Sequence, residues 1–131
     1  MMGRRKALAL LLAGLAGGSL APLLRRDRGA VWERTFAKDA SAAAVGRAYL
    51  LVVPAEADAA RLLQLLRDDL GLVIDGDDLV ALRRELSAAI RRDFSAERTT
   101  SLDGWILSQT EARLCALATL VSQGATRVSA R

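Results

Sequence analysis

Apolar residues recur every three or four positions along most of the chain, the spacing that places them on one face of an α-helix. Stretches 40–53, 56–70 and 79–94 show it, and a fourth begins at 108. Pro54 ends the first predicted helix, and Gly71 is placed to cap the second. The predicted buried positions are Val45, Tyr49, Leu50, Val53, Ala59, Leu62, Leu63, Leu66, Leu70, Leu79, Leu82, Leu86, Ile90 and Phe94.

Polar and glycine residues mark the breaks between these helices. Asp77, within an acidic turn at 75–78, is the predicted N-cap of the third helix. Segment 99–107 is rich in β-forming residues and predicts an extended stretch that turns at Asp103-Gly104. Ser108 and Glu111, three positions apart, predict a capping box that starts the last helix.

The pattern therefore predicts an all-α protein. We expect a small bundle of three to four helices with one short extended segment near 99–107, preceded by an N-terminal signal or anchor helix. The predicted divisions are 1–30 for export or anchoring, 31–124 for the helical domain and 125–131 for a disordered tail. Residues 25–39, which include Trp32 and Phe36, are predicted to be a linker or entry turn.

The N-terminus carries a targeting pattern. Gly3-Arg4-Arg5-Lys6 precedes eighteen uncharged residues, 7–24, and more arginines follow. A basic start before an apolar stretch is the plan of an export signal, and paired arginines resemble a twin-arginine signal. A buried helix of a cytosolic protein should instead show a polar face, which this stretch lacks. We expect export to the periplasm, with the segment either cleaved or kept as a membrane anchor.

The net charge of +4 divides unevenly along the chain. Residues 1–30 hold six basic side chains and one acidic one, whereas 31–131 hold thirteen and fourteen. A nucleic-acid-binding body would need a basic face. We therefore expect no nucleic-acid partner.

Few residues suited to catalysis are present. The chain has one cysteine and no histidine, so zinc sites and histidine-activated nucleophiles lack their usual groups. The acidic turn at 75–78 fails a calcium-loop pattern, since Leu79 and Leu86 stand where oxygen ligands are needed. Cys115 lies in an apolar stretch and is predicted to be a core residue. We expect no enzyme activity, no metal and no cofactor.

Trp105 lies in the most distinctive segment of the chain, 102–114. It is predicted either to close the helical core or to be a docking residue, because tryptophan and arginine are enriched at binding hot spots. The candidate partner contacts, chosen by residue type at the edge of the predicted core, are Tyr49, Trp105, Ile106 and Arg113.

With these residues in view, the chain resembles the small exported subunits of membrane-bound flavoprotein dehydrogenases, the gluconate 2-dehydrogenase subunit 3-like proteins. The resemblance is carried by the paired Arg4 and Arg5, by Gly46-Arg47-Ala48-Tyr49-Leu50, and by Trp105 followed by Glu111-Ala112. It implies a non-catalytic accessory subunit that assists the folding, export or assembly of a larger flavin-bearing subunit. The alternative is a free-standing envelope protein, anchored by its N-terminus, with a structural or interaction role.

Overall fold

The computed structural model describes residues 31–36 and 39–129, with side chains up to residue 124. The predicted export segment, with Arg4 and Arg5, and the last residues of the predicted tail lie outside this part. The described residues form five α-helices and one β-hairpin, which confirms the mainly helical prediction with one extended segment, but the predicted number of three to four helices is too low. The helices are α1 Val31–Phe36, α2 Ala40–Val52, α3 Ala59–Leu70, α4 Leu79–Ser95 and α5 Gln109–Ser129; the strands are β1 Thr99–Leu102 and β2 Trp105–Ser108.

Helix α5 is the centre of the fold, because the other four helices and both strands contact it. Helix α2 makes the most extensive of these contacts. The core lies between α5 and the apolar stripes of its neighbours, which place leucines and isoleucines at helical spacing. Its fully buried members include Leu62, Leu66, Leu82, Leu86, Ile90, Leu114 and Leu117.

Helix α1 corrects the part of the predicted 25–39 linker that the structure describes as Val31–Phe36. Trp32 is 5% exposed and Phe36 is 1% exposed, so both aromatic rings belong to the core. The backbone N–H of Val31 also donates to the carbonyl of Gly76 at 3.0 Å, which joins α1 to the turn before α4. Six residues are too few to show helical periodicity, so burial of the two rings was not visible in the pattern.

The starts of two helices also differ from the prediction. A 3₁₀ turn, Pro54–Glu56, separates α2 from α3, which begins at Ala59 rather than at 56. Asp58 caps α3 by accepting from the backbone N–H of Ala60 at 2.9 Å. Asp78, not Asp77, caps α4 by accepting from the N–H of Ala81 at 3.1 Å. Where neighbouring aspartates both suit the cap, tertiary contacts decide which one takes it.

The remaining boundaries follow local chemistry. Gly71 ends α3 with a positive φ of 74°, as predicted. The hairpin turns at Asp103 and Gly104, whose φ values of 50° and 82° suit a tight two-residue turn. Helix α5 continues to Ser129, past the predicted end at 124.

The predicted capping box is present at the start of α5. The N–H of Ser108 donates to Glu111 Oε1 at 2.8 Å, and the N–H of Glu111 donates to Ser108 Oγ at 3.0 Å. These reciprocal bonds satisfy two backbone donors that the helix itself leaves open.

Candidate functional site

Helix α2 is apolar on its outer face as well as its inner one. Its thirteen residues contain a single charged side chain, Arg47. Ala42, Gly46 and Tyr49 are buried on the inner side, and yet Leu51 is 84% exposed and Val52 61% exposed. A helix that is apolar all round usually has cover on every side. This outer face of α2 has none among the residues described.

A groove runs beside this face, between α2 and the hairpin. It encloses a cavity of about 240 Å³. Apolar side chains from α2, the hairpin and α5 form its walls, and the half-buried Trp105 is one of them. The main lining residues are Ala42, Ala44, Val45, Ala48, Leu102, Trp105, Leu107 and Cys115. We call the outer face of α2 and this groove together the α2–hairpin surface.

One cation, Arg47, and two anions, Asp39 and Asp103, lie within the α2–hairpin surface, and Asp39 is the N-cap of α2. Arg47 is exposed on α2 and Asp103 is exposed at the hairpin turn, and both line the shallow continuation of the groove next to Leu51. Neither makes an ion pair among the described side chains. An arginine surrounded by apolar surface is a common binding hot spot.

Tyr49 and Arg113, two of the predicted contacts, meet in the interior. The Tyr49 hydroxyl donates to Glu56 Oε1 at 3.0 Å, and Arg113 Nε donates to the same oxygen at 2.8 Å. Arg113 also approaches Asp69 at 3.7 Å. Burial and the Glu56 carboxylate raise the pKa of Tyr49, so its hydroxyl keeps its proton. Tyr49 is 1% exposed, so in this arrangement it joins α2 to α5 and offers no surface to a partner.

Trp105 and Ile106 lie on opposite faces of the hairpin. Trp105 pairs with Leu102 across the strands and faces the groove, whereas Ile106 pairs with Ser101. Ile106 is 36% exposed. The four predicted contacts therefore do not form one surface, and Trp105 is the one that lines the groove. Trp105 is only partly buried, whereas the other tryptophan, Trp32, is buried in the core.

Two buried acids lie at the junction of the hairpin with α5. Asp93 is 3% exposed, and its carboxylate accepts from the N–H of Thr110 at 2.8 Å and from Arg98 Nε at 3.1 Å. Glu111 is fully buried in the capping box. Burial raises the pKa of Glu111 to about 7, while the Ser108 N–H opposes the rise and the Asp93 charge adds to it.

Cys115 is a core residue, as predicted, with 0% exposure. Burial raises the pKa of its thiol, and the nearby charges of Glu111 and Asp39 raise it further. A thiol in this setting remains protonated and unreactive.

Each of the three aspartates in the acidic turn at 75–78 has a structural role. Asp75 forms a two-point ion pair with Arg67 at 2.8 and 2.9 Å, which lowers the pKa of that carboxyl. Asp77 pairs with Arg34, and Asp78 caps α4. Across residues 31–36 and 39–129, no group of three or more acidic or sulfur-bearing side chains is arranged to hold a metal ion.

The exposed apolar face of α2 is absent from the sequence predictions, although the composition of this helix contains a signal for it. Only one of the thirteen residues of α2 is charged, so the helix has more apolar residues than one buried face requires. The excess indicates a second face that is covered.

Within the described part of the chain, no helix combines the length and apolar character required to cross a membrane. No family model, curated protein or solved structure matches the chain.

Proposed function

We propose that this protein is a non-catalytic accessory subunit that docks a larger protein through the α2–hairpin surface. The observation that carries the proposal is the exposure of Leu51 and Val52 beside an apolar groove. Contiguous exposed apolar surface in a small domain marks an interaction site. Trp105 in the groove and Arg47 on the helix are residue types that supply much of the energy of protein–protein binding.

We propose that the partner is the large, flavin-bearing subunit of an envelope oxidoreductase. The support is the resemblance of the Gly46-x-x-Tyr49-Leu50 element to small dehydrogenase subunits. Gly46 and Tyr49 face α5 and determine how α2 packs against it. A shared element of this kind would preserve the position of α2 and therefore of the surface that it presents.

We also propose that residues 1–30 direct the protein to the periplasm through the twin-arginine route, or anchor it there. The test is to change Arg4 and Arg5 together to Lys in a reporter fusion. Retention in the cytoplasm is expected, because the paired guanidinium groups are the recognised feature. Unchanged periplasmic delivery of the variant would argue against this route.

The docking proposal is tested by purifying the tagged full-length chain from its native host. A co-purifying flavoprotein is expected, identified by its flavin fluorescence and by dye reduction with sugar or alcohol substrates. Leu51→Glu and Val52→Glu should each reduce its recovery at least tenfold, because a charge would be buried at the interface. Leu72→Glu is the matched control, since Leu72 is 85% exposed in a turn away from α2.

Equal recovery with Leu51→Glu and Leu72→Glu would show that the α2–hairpin surface is not the docking site. If no flavoprotein is recovered with the wild-type chain, a free-standing, anchored envelope protein becomes the better account.

A further inference from the structure

The hairpin is held at its base by the two buried acids of the α4–α5 junction. Glu111 binds the N–H of Ser108 at the end of β2, and Asp93 binds Arg98, just before β1, and the N–H of Thr110. Backbone bonds from Arg98 to Asp93 at 2.8 Å and from Gln109 to Arg98 at 3.0 Å close the same junction. Both ends of the hairpin therefore depend on these carboxyl groups.

The two acids have different surroundings. Asp93 has a cationic partner in Arg98 and uses both carboxylate oxygens. Glu111 uses Oε1 in the capping box, whereas its buried Oε2 has no hydrogen-bond partner among the side chains and backbone described. A buried carboxylate with an open oxygen is costly unless it is protonated.

Among the side chains that the structure describes, no cation is paired with Glu111. The charged group that faces it from α4 is Asp93, which has the same sign, and one turn further along α5 the Cys115 thiol interacts with it electrostatically. Arg98 is paired with Asp93 and half exposed, and Arg113 is held by Glu56 and Asp69. Asp39, at the start of α2, acts on Cys115 and adds a further negative charge to this region.

We propose that Glu111 is a proton-operated latch on the hairpin: when it is protonated the hairpin stays closed against α2 and α5, and when it ionises the hairpin opens locally. This inference rests on the proposed function in one respect, since the hairpin forms one wall of the docking groove. The latch would then regulate docking. The opening itself requires no partner.

The hairpin is the element suited to respond. Each strand has four residues, and a two-stranded sheet is marginal without support from its surroundings. Leu102 and Leu107 attach it to the core, and Trp105 lines the groove with them. If the junction opens, water can solvate the ionised Glu111 carboxylate. The same movement would displace the hairpin and so widen or disrupt the groove. The pKa of about 7 places the change near neutral pH.

The test is amide hydrogen exchange of segment 99–108 in the full-length protein between pH 5.5 and 8, corrected for the intrinsic pH dependence of exchange. Protection of the hairpin should fall about tenfold or more as the pH rises, because opening releases a carboxyl whose proton is held more tightly in the closed state. Glu111→Gln should make protection independent of pH, since the glutamine carbonyl still accepts from Ser108.

A control separates Glu111 from an acid that lines the groove itself. Asp103→Asn removes the carboxylate in the hairpin turn but keeps a residue that tolerates positive φ. This variant should retain the wild-type pH dependence. Loss of the dependence in Asp103→Asn, or its persistence in Glu111→Gln, would overturn the latch.

A second measurement needs no variant. The side-chain carboxyl carbon of Glu111, followed by NMR in the wild-type protein, should titrate near pH 7 together with the change in hairpin exchange. Titration near 4.5 would overturn the proposal. Hairpin opening without recovery of a flavoprotein would leave the latch intact and contradict the docking function, so the two failures are distinguishable.

Discussion

Gly46 of α2 lies directly against the backbone of Cys115 in α5. A Cβ atom at position 46 would stand 2.8 Å from the carbonyl carbon of Cys115 and would also collide with the hydroxyl of Thr119. That hydroxyl is fixed, because it donates to the Cys115 carbonyl at 2.9 Å. The absence of a side chain at Gly46 therefore sets how closely the two helices approach, and with it the position of the α2–hairpin surface.

Gly46→Ala should lower the free energy of unfolding by about 1–3 kcal/mol, because a methyl group must push α2 away from α5. Gly124→Ala is the matched control in α5, where a Cβ meets nothing within 4 Å. That change should be neutral or stabilise the helix by up to about 1 kcal/mol. Urea denaturation of both variants is the measurement. Equal stability of the two would show that the helices do not pack this closely.

The two tryptophans should respond differently to truncation. Trp32→Ala should cost about 3–5 kcal/mol, since its ring is buried in the core. Trp105→Ala should cost less than Trp32→Ala, because its ring is partly exposed at the groove. Thermal unfolding followed by circular dichroism compares them. A larger loss at Trp105 would mean that the hairpin, not α1, completes the core.

The elements that could be predicted from sequence are those with local causes. The capping box of Ser108 and Glu111 spans four residues, and the hairpin turn spans two, so the interacting residues are close together in the sequence. Helix α1 and the choice of Asp78 over Asp77 depend on contacts with distant residues. The local pattern of hydrophobic and polar residues does not report contacts between residues that are distant in sequence.

The candidate site was predicted less well for the same reason. Tyr49 and Arg113 were identified by residue type, but the group that joins them, Glu56, lies 57 positions before Arg113. Their convergence follows from the packing of α2 on α5. The exposed outer face of α2 was missed because periodicity identifies which residues can be buried, not which of them find cover.

The Glu56–Arg113 pair should show strong energetic coupling. Both side chains are about 85% buried, at 16% and 14% exposure, so removing one leaves the other charge poorly solvated. In a double-mutant cycle with Glu56→Gln and Arg113→Gln, we expect a coupling energy of about 1–3 kcal/mol. Arg67 and Asp75, an exposed pair, provide the comparison and should couple by less than about 1 kcal/mol. Similar values for the two pairs would contradict the buried network.

Global stability should fall as the pH rises from about 4.5 to 7. The folded-state pKa of Glu111 is raised from 4.5 to about 7, so the folded protein binds more protons than the unfolded chain within this window. The stability that protonated Glu111 contributes is fully present below its pKa in the unfolded chain. It is lost as the pH rises through its pKa in the folded protein. This difference between the folded and unfolded pKa of Glu111 corresponds to about 3 kcal/mol in the free energy of unfolding, at roughly 1.4 kcal/mol per pKa unit.

Glu111→Gln should remove most of this slope in urea denaturation series at pH 5, 6, 7 and 8. A residual slope of the same sign is expected from Asp69, whose pKa burial also raises. Asp75→Asn is the control with the opposite sign, because Arg67 lowers the pKa of Asp75 and its contribution is lost only in acid. That variant should therefore follow the wild-type profile above pH 5. A wild-type protein whose stability is constant from pH 5 to 8 would show that the Glu111 carboxylate is accommodated without cost.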